Sequence, residues 1–284
     1  MIPVAFDYLC PSTVDDAVAA LAEAGDEAKI LAGGQSLLPV LRLRLAAPSL
    51  LVDLGAMAQL HGIRDDGDAL VIGAMTTHDE VASAPLVRQF APLLAIAAGT
   101  IGDRQVRHRG TLGGSLAHAD PAADLPAVAV TLDARYVLAG PSGRRTISAS
   151  DFAVDLFTTA LGADEVLVEI HVPKREGWGA HYEKFHRVVQ AWAIVGVAAT
   201  VRRANGSIAA ARVTLTNMGP KPVRAAAVEE ALAGCAADVD AIREACSAAA
   251  EGTSPVDDLS GSADYRRHLA RVLTARAVAV AAGV

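Results

Sequence analysis

The sequence is poor in residues that could hold an iron–sulfur cluster or a structural metal. Its 284 residues include only three cysteines, Cys10, Cys235 and Cys246, and none forms a Cys-x-x-Cys pair. Three thiols cannot supply the four thiolates of an iron–sulfur cluster, and their spacing does not match a zinc site. An odd cysteine count without a leader peptide favours a reducing compartment.

Positive charge, aromatic residues and long apolar runs are also scarce. Aromatic residues make up 4% of the chain and the formal net charge is −7, with no basic run, so nucleic acid is not expected as a partner. The opening Met1–Asp7 does not read as a secretory signal, and apolar stretches end before the roughly 20 residues of a membrane span. We therefore expect a cytoplasmic protein.

Apolar residues are abundant: they make up 52% of the chain, enough for the core of two domains or of one large domain. Proline, glycine and charge occur together from Pro173 to Gly179, a composition typical of a boundary. We predict a first domain of residues 1–176 and a C-terminal domain of residues 177–284.

Residues 1–55 predict a small parallel α/β part. Ser12 or Thr13 can cap a first helix, and apolar strands at 28–31 and 50–53 flank a second helix that Ser36 can cap. Strand, helix and strand in this order favour a parallel unit.

Residues 56–176 predict a mostly antiparallel part, because short strands follow one another with few helices between them. Thr77 to Glu80 fits a capping box. In the C-terminal domain, Asn205-Gly206 between two apolar runs is a strong hairpin signal. We predict a three-stranded antiparallel sheet with helices there, and an α+β fold class overall.

Two glycine pairs are the most informative feature. Ala32–Ser36 (the first glycine segment) and Thr111–Ser115 (the second glycine segment) each contain Gly-Gly and end in a hydroxyl residue. Glycine lets the main chain approach a ligand, and exposed N–H groups can bind anionic oxygens. Neither segment matches the Gly-x-Gly-x-x-Gly, phosphate-loop or nucleophile-elbow pattern. A plain structural turn remains the alternative to a pyrophosphate clamp.

Other polar residues could contact a dinucleotide. Asp124 could accept hydrogen bonds from ribose or ribityl hydroxyls, whereas His118, Asp120 and Asp124 could instead be metal ligands or loop groups that cap a helix. Lys184 could pair with an anionic ring or phosphate, and Trp192 could pack on a planar heterocycle or in the core.

No set of residues supplies an activated nucleophile or holds molybdenum or iron, so we predict no catalytic residue and no metal site. His78 and Asp79, at a predicted helix start, are interpreted as exposed surface charge. Redox chemistry on this chain would have to come from an organic cofactor.

The two glycine segments and the run to Asp124 resemble the FAD-binding medium subunits of molybdenum hydroxylases, particularly those of the aerobic carbon monoxide dehydrogenase type. The resemblance covers the whole chain, including Gln105–Gly110, Tyr182–Lys184 and Leu215–Pro220. It implies an FAD-binding fold like that of vanillyl-alcohol oxidase and the xanthine dehydrogenase flavin domain.

Expected cofactor contacts follow from the resemblance and the residues above. Gln35 and Ala191 depart from the family pattern, which often has histidine and an acidic residue at these positions. The expected FAD-binding residues are Ala32, Gly33, Gly34, Gln35, Ser36, Leu37, Ile101, Thr111, Gly113, Gly114, Ser115, His118, Asp120, Asp124, Lys184 and Trp192.

The resemblance also implies an electron-transfer role beside a large molybdenum-cofactor subunit and a small [2Fe–2S] subunit, in a dimer of heterotrimers. The acceptor could be a quinone, with the complex at the inner face of the membrane. The alternatives are a self-contained FAD-dependent oxidoreductase of the same superfamily and a non-catalytic scaffold without cofactor.

Overall fold

The N-terminal part is a three-stranded parallel sheet with two helices. A computed structural model describes all residues, Met1–Val284. The strands β1 (Asp7–Leu9), β2 (Ala28–Leu31) and β3 (Leu50–Asp53) have the order β1-β3-β2. The helices are α1 (Val14–Ala24), which Thr13 caps, and α2 (Leu37–Arg42). The sequence missed β1 because its three residues are exposed and show no alternation.

The second sheet is antiparallel throughout, as the sequence indicates for this part. Its strands are β4 (Ile63–Asp66), β5 (Ala69–Gly73), β6 (Arg135–Gly140), β7 (Gly143–Ser148) and β10 (Val166–Pro173), in the order β4-β5-β10-β6-β7. A small hairpin of β8 (Ala153–Asp155) and β9 (Thr158–Thr159) precedes β10.

The expectation of few helices between these strands is wrong. Six short helices lie between β5 and β6: α3 (His78–Ser83), α4 (Pro85–Phe90), α5 (Pro92–Gly99), α6 (Arg104–Arg107), α7 (Leu112–His118) and α8 (Asp124–Thr131). A seventh, α9 (Ala149–Phe152), follows β7. Most were missed because helices of four to eight residues are too short to show a clear helical period. The capping box at Thr77 and Glu80 is confirmed.

The C-terminal part has a four-stranded antiparallel sheet: β11 (Gly179–Phe185), β12 (Val195–Ala204), β13 (Ser207–Thr216) and β14 (Val223–Arg224). The sequence predicted three strands, because β14 has two residues and no apolar pattern. Asn205 and Gly206 have φ of 51° and 77° at the β12–β13 turn, as the hairpin signal indicates. The helices are α10 (Ala226–Leu232), α11 (Val239–Ala245) and α12 (Ala263–Ala282).

One hydrophobic core joins the two parts of the chain. Tyr182 of β11 and Ala198 of β12 belong to the same buried cluster as Leu125 and Val128 of α8. The linker between β10 and β11 comprises residues 174–178 and contains the predicted boundary at 176. None of the helices combines the length and the apolar character that crossing a bilayer requires.

Candidate functional site

The two glycine segments meet at one cleft. This cleft has a volume of about 510 Å³ and is lined by residues of β2, α2, α7 and the loop that follows β9. A Cβ added to Gly114 would lie 3.3 Å from the Cβ of Ala32, and one added to Gly33 would overlap the carbonyl oxygen of Arg109. The segments, about eighty residues apart in sequence, are therefore in direct contact.

The first glycine segment presents unpaired donors to the cleft. The backbone N–H groups of Gly33, Gly34, Gln35 and Ser36 donate to no acceptor within the protein. Gly34 has φ of +73°, a backbone conformation that side chains disfavour. Four successive free N–H groups beside a cleft can bind anionic oxygens, since buried or half-buried donors need partners.

The hydroxyl of Ser36 does not cap α2 as the sequence predicts. Ser36 has helical φ and ψ of −97° and −45°, and its side chain makes no capping bond. An N-cap residue needs an extended backbone to turn its oxygen toward the helix, and Ser36 lacks it. The hydroxyl therefore remains available at the cleft, which Ser36 lines.

The second glycine segment is the N-cap and first turn of helix α7, so the alternative of a plain structural turn does not describe it. Thr111 caps α7, and its Oγ1 accepts a hydrogen bond from Gly114 N at 3.1 Å. Gly113 N donates to Ala74 O at 2.8 Å, and Ser115 N donates to Thr111 O at 3.1 Å. Because these backbone donors are occupied, they are not free to bind an anion. The group of this segment that can bind one is the Ser115 hydroxyl, which has no partner in the protein.

Glycine at Gly113 serves close packing between chain segments. A Cβ there would lie 2.6 Å from the Cβ of Ala74. The sequence pattern favoured ligand approach for both glycine pairs, but packing of α7 against Ala74, directly after β5, requires the glycine at this position. Contacts between distant segments leave no signal in the local sequence pattern.

A buried ion pair lies beside the cleft. Lys184 Nζ donates to Asp124 Oδ2 at 2.7 Å, and the hydroxyl of Tyr182 donates to Asp124 Oδ1 at 2.6 Å. The side chains of Asp124 and Lys184 are 3% and 5% exposed. Burial raises the pKa of the Asp124 carboxyl, and the Lys184 ammonium opposes this rise. The pair ties β11 of the C-terminal part to the start of α8.

The predicted contact residues divide into two groups. Trp192 lines the cleft at its mouth and is 54% exposed, so it is not a core residue. Asp120 and Lys184 do not line the cleft: Asp120 Oδ1 accepts from Ala122 N, and Lys184 pairs with Asp124. The predicted residues that line it are Ala32, Gly33, Gly34, Gln35, Ser36, Leu37, Ile101, Thr111, Gly113, Gly114, Ser115, His118, Asp124 and Trp192.

The alternative of a metal site at His118, Asp120 and Asp124 does not fit the geometry. No three histidine, cysteine, aspartate or glutamate side chains converge as a metal-binding group. The ring of His118 packs against Phe157, with centroids 5.2 Å apart.

His78 is the principal residue that the sequence interpretation misplaced. It is 5% exposed and lines the cleft, whereas surface charge was expected. The backbone N–H of His78 donates to Gly110 O at 2.9 Å. An isolated β-bridge between Thr77 and Thr111 also holds the start of α3 against the second glycine segment. Burial, aided by the charge of Arg107, lowers the pKa of His78 to about 4. The loop from Thr159 to Glu165 also lines the cleft and carried no signal.

Acid should destabilise the ligand-free chain through His78. A histidine pKa lowered from 6.5 to about 4 means that the folded state favours the neutral ring. The contribution of the neutral ring to the free energy of unfolding is complete above pH 6.5. It is lost as the pH falls toward 4, and the total loss is about 3 kcal/mol at most. Urea unfolding at pH 7 and pH 4.5 should show a smaller decrease for His78→Gln than for the wild type. Equal decreases in both proteins would contradict the burial of a neutral imidazole.

Family models and known proteins match the chain along nearly its whole length. A model described as the FAD binding domain in molybdopterin dehydrogenase matches residues 4–175. A second, the CO dehydrogenase flavoprotein C-terminal domain, matches residues 180–281.

Relatives with different names share this similarity. The chain is 42% identical to the carbon monoxide dehydrogenase medium chain of Hydrogenophaga pseudoflava, over 98% of this chain and 97% of that one. It is 38% identical to the 6-hydroxypseudooxynicotine dehydrogenase complex subunit alpha of Paenarthrobacter nicotinovorans, over 99% and 96%. A solved structure of carbon monoxide dehydrogenase from Hydrogenophaga pseudoflava superposes with a TM-score of 0.96 and 44% identity, covering 99% of this chain and 98% of that one.

Proposed function

The chain belongs to the family of FAD-binding subunits of molybdenum hydroxylases, and from this membership we propose that it is the electron-transfer flavoprotein of such a complex. The observation that carries the proposal is the meeting of both glycine segments at one cleft, where four successive N–H groups lack partners. The donors, the hydroxyl groups and the space between them fit a dinucleotide with two neighbouring phosphates.

Individual residues take distinct parts in binding FAD. The N–H groups of Gly33 to Ser36 and the hydroxyls of Ser36 and Ser115 bind phosphate oxygens. Trp192 at the cleft mouth offers an aromatic face to a planar ring. Asp124 has both carboxylate oxygens engaged by Tyr182 and Lys184, so it offers only its remaining lone pairs to a hydroxyl.

The chemistry of the complex divides between this chain and its partners. When bound, FAD supplies a redox group that can receive and release electrons. The cleft residues bind and orient it and limit its contact with water. Oxidation of the substrate belongs to a large molybdenum-cofactor subunit, with a small [2Fe–2S] subunit between the two sites.

The substrate follows from the partner rather than from this chain. Relatives at 42% and 38% identity bear the names of enzymes that act on carbon monoxide and on 6-hydroxypseudooxynicotine. The same flavoprotein scaffold thus serves different substrates, and we place this chain in a complex of the carbon monoxide dehydrogenase type. We further propose that the complex is a dimer of heterotrimers and that its electron acceptor is a quinone. The complex would then lie in the cytoplasm, at the inner face of the membrane.

Reconstitution tests the function. We expect the purified chain, incubated with FAD and freed of excess by gel filtration, to retain about one FAD per chain, since the cleft is a single site. FMN, which has one phosphate and no adenosine, should be retained less, because it leaves part of the donor set unpaired. Failure to retain FAD, both alone and when co-expressed with the large and small subunits, would reject the proposal.

A further inference from the structure

The imidazole of His78 lies on the cleft without a hydrogen-bond partner for its ring. Nδ1 is completely buried and unpaired. Nε2 also has no partner in the protein, but it is not sealed off, and it lies on the ring edge that faces Gly110. A Cβ added to Gly110 would be 3.0 Å from Nε2. A polar ring buried to this degree calls for a partner that the chain itself does not supply.

The surroundings of the ring determine which nitrogen carries the proton. Burial, with the charge of Arg107, lowers the pKa of His78 to about 4, so the ring is neutral near pH 7. Neutral imidazole has one N–H and one bare nitrogen. Because no acceptor reaches Nδ1, placing the proton there would bury an unsatisfied donor. The proton therefore resides on Nε2, toward the cleft.

The position of this N–H relative to the first glycine segment indicates its acceptor. A Cβ added to Gly110 would lie 2.8 Å from Cδ2 of His78, and a Cβ added to Gly33 would lie 2.7 Å from the Cα of Gly110, so Gly110 lies between the ring and the first glycine segment. The unpaired N–H groups begin at Gly33. Arg107 is the charged side chain whose field acts on the ring, and it is positive. The unpaired N–H groups and the positive charge of Arg107 lie near each other, and together they favour binding of an anionic oxygen.

We infer that the Nε2–H of His78 donates a hydrogen bond to a phosphate oxygen of the bound dinucleotide, which makes His78 a binding residue. The inference rests on the proposed function, because the occupant of the cleft is FAD. His78 thereby completes from one side the donor set that the first glycine segment supplies from the other. A histidine that only filled space would instead be replaceable by any ring of similar size.

Ligands with and without phosphate separate these two roles. In the full-length chain, His78→Phe keeps a planar ring and removes the donor. We expect it to weaken the binding of FAD, and of ADP as a probe of the diphosphate alone, by about tenfold or more. The binding of riboflavin, which has no phosphate, should be unchanged. His78→Gln, whose amide can donate, should recover FAD affinity to within about threefold of the wild type.

Two controls make the outcome decisive. His268→Phe, on the exposed side of α12, should leave all three affinities unchanged. If the wild-type chain binds neither FAD nor ADP, both alone and when co-expressed with the large and small subunits, the proposed function fails before His78 is tested. If the wild type binds both, and His78→Phe binds FAD as tightly or loses riboflavin equally, the inference is overturned.

A measurement on the wild type covers the case in which His78→Phe does not fold. In ¹⁵N-histidine-labelled chain, the His78 signals are identified by their absence in His78→Gln. We expect the Nε2–H tautomer in the free chain, and a downfield shift of that proton with FAD or ADP but not with riboflavin. An Nδ1–H tautomer, or no response to ADP, would overturn the inference.

Discussion

Gly33→Ala is expected to weaken FAD binding by about a hundredfold or more, through a collision within the protein rather than with the ligand. The added Cβ would overlap the carbonyl oxygen of Arg109 and press on the Cα of Gly110. Both obstacles are backbone atoms, so no side-chain rotation can relieve them. The first glycine segment must then move away from residues 109–110, and its free N–H groups leave their positions at the cleft.

The stability of Gly33→Ala should decrease as well, by about 1–3 kcal/mol, which is the usual effect of overpacking. Gly99→Ala is the matched control, because an added Cβ at that exposed helical position meets nothing within 4 Å. Calorimetric titration with FAD and urea unfolding measure the two quantities. Wild-type affinity in Gly33→Ala would show that the contact with Arg109 does not position the site.

The sequence located the glycine segments but not the reason for every glycine in them. Gly34, with its positive φ, meets the expectation of a backbone bend. Gly33 and Gly113 are instead required where separate stretches of chain touch. Local sequence indicates turn preference well, whereas contacts between segments about forty to eighty residues apart depend on how the sheets and helices pack.

His78 is a second residue whose environment depends on tertiary contacts: it was expected on the surface and is buried. Its position beside Asp79 at a helix start is typical of surface charge, and the capping box that encloses it was predicted correctly. The bridge from Thr77 to Thr111, which buries the ring, is a tertiary contact that helix-start signals do not contain.

The α+β class and the parallel N-terminal strands could be predicted because they depend on order and spacing along the chain. The short helices between β5 and β6 could not, since each is held by packing rather than by its own periodicity. Asp124 and Lys184 were each singled out, but nothing in the sequence joined them as a pair across sixty residues.

Lys184→Met is expected to destabilise the chain by about 3–5 kcal/mol, the usual consequence of removing one partner of a buried ion pair. Asp124 would remain buried without its counter-charge, and its carboxyl pKa, already raised by burial, would lose the opposing effect of Lys184. Arg243→Met is the control, because the Arg243–Asp240 pair is exposed, and it should change stability by no more than about 0.5 kcal/mol. Urea unfolding at pH 7 measures both.

A double variant separates the charge from the position of the pair. Asp124→Asn in the Lys184→Met background removes the isolated charge and keeps an acceptor for Tyr182, so stability should recover by more than half. Lys184→Met should also lower FAD affinity, and this should not recover in the double variant. Only the Tyr182 hydrogen bond then joins β11 to the start of α8, and the Lys184 contact at this cleft-lining residue is still missing. Recovery of both would mean that the pair contributes only to folding. Recovery of neither would mean that the isolated charge is not what destabilises Lys184→Met.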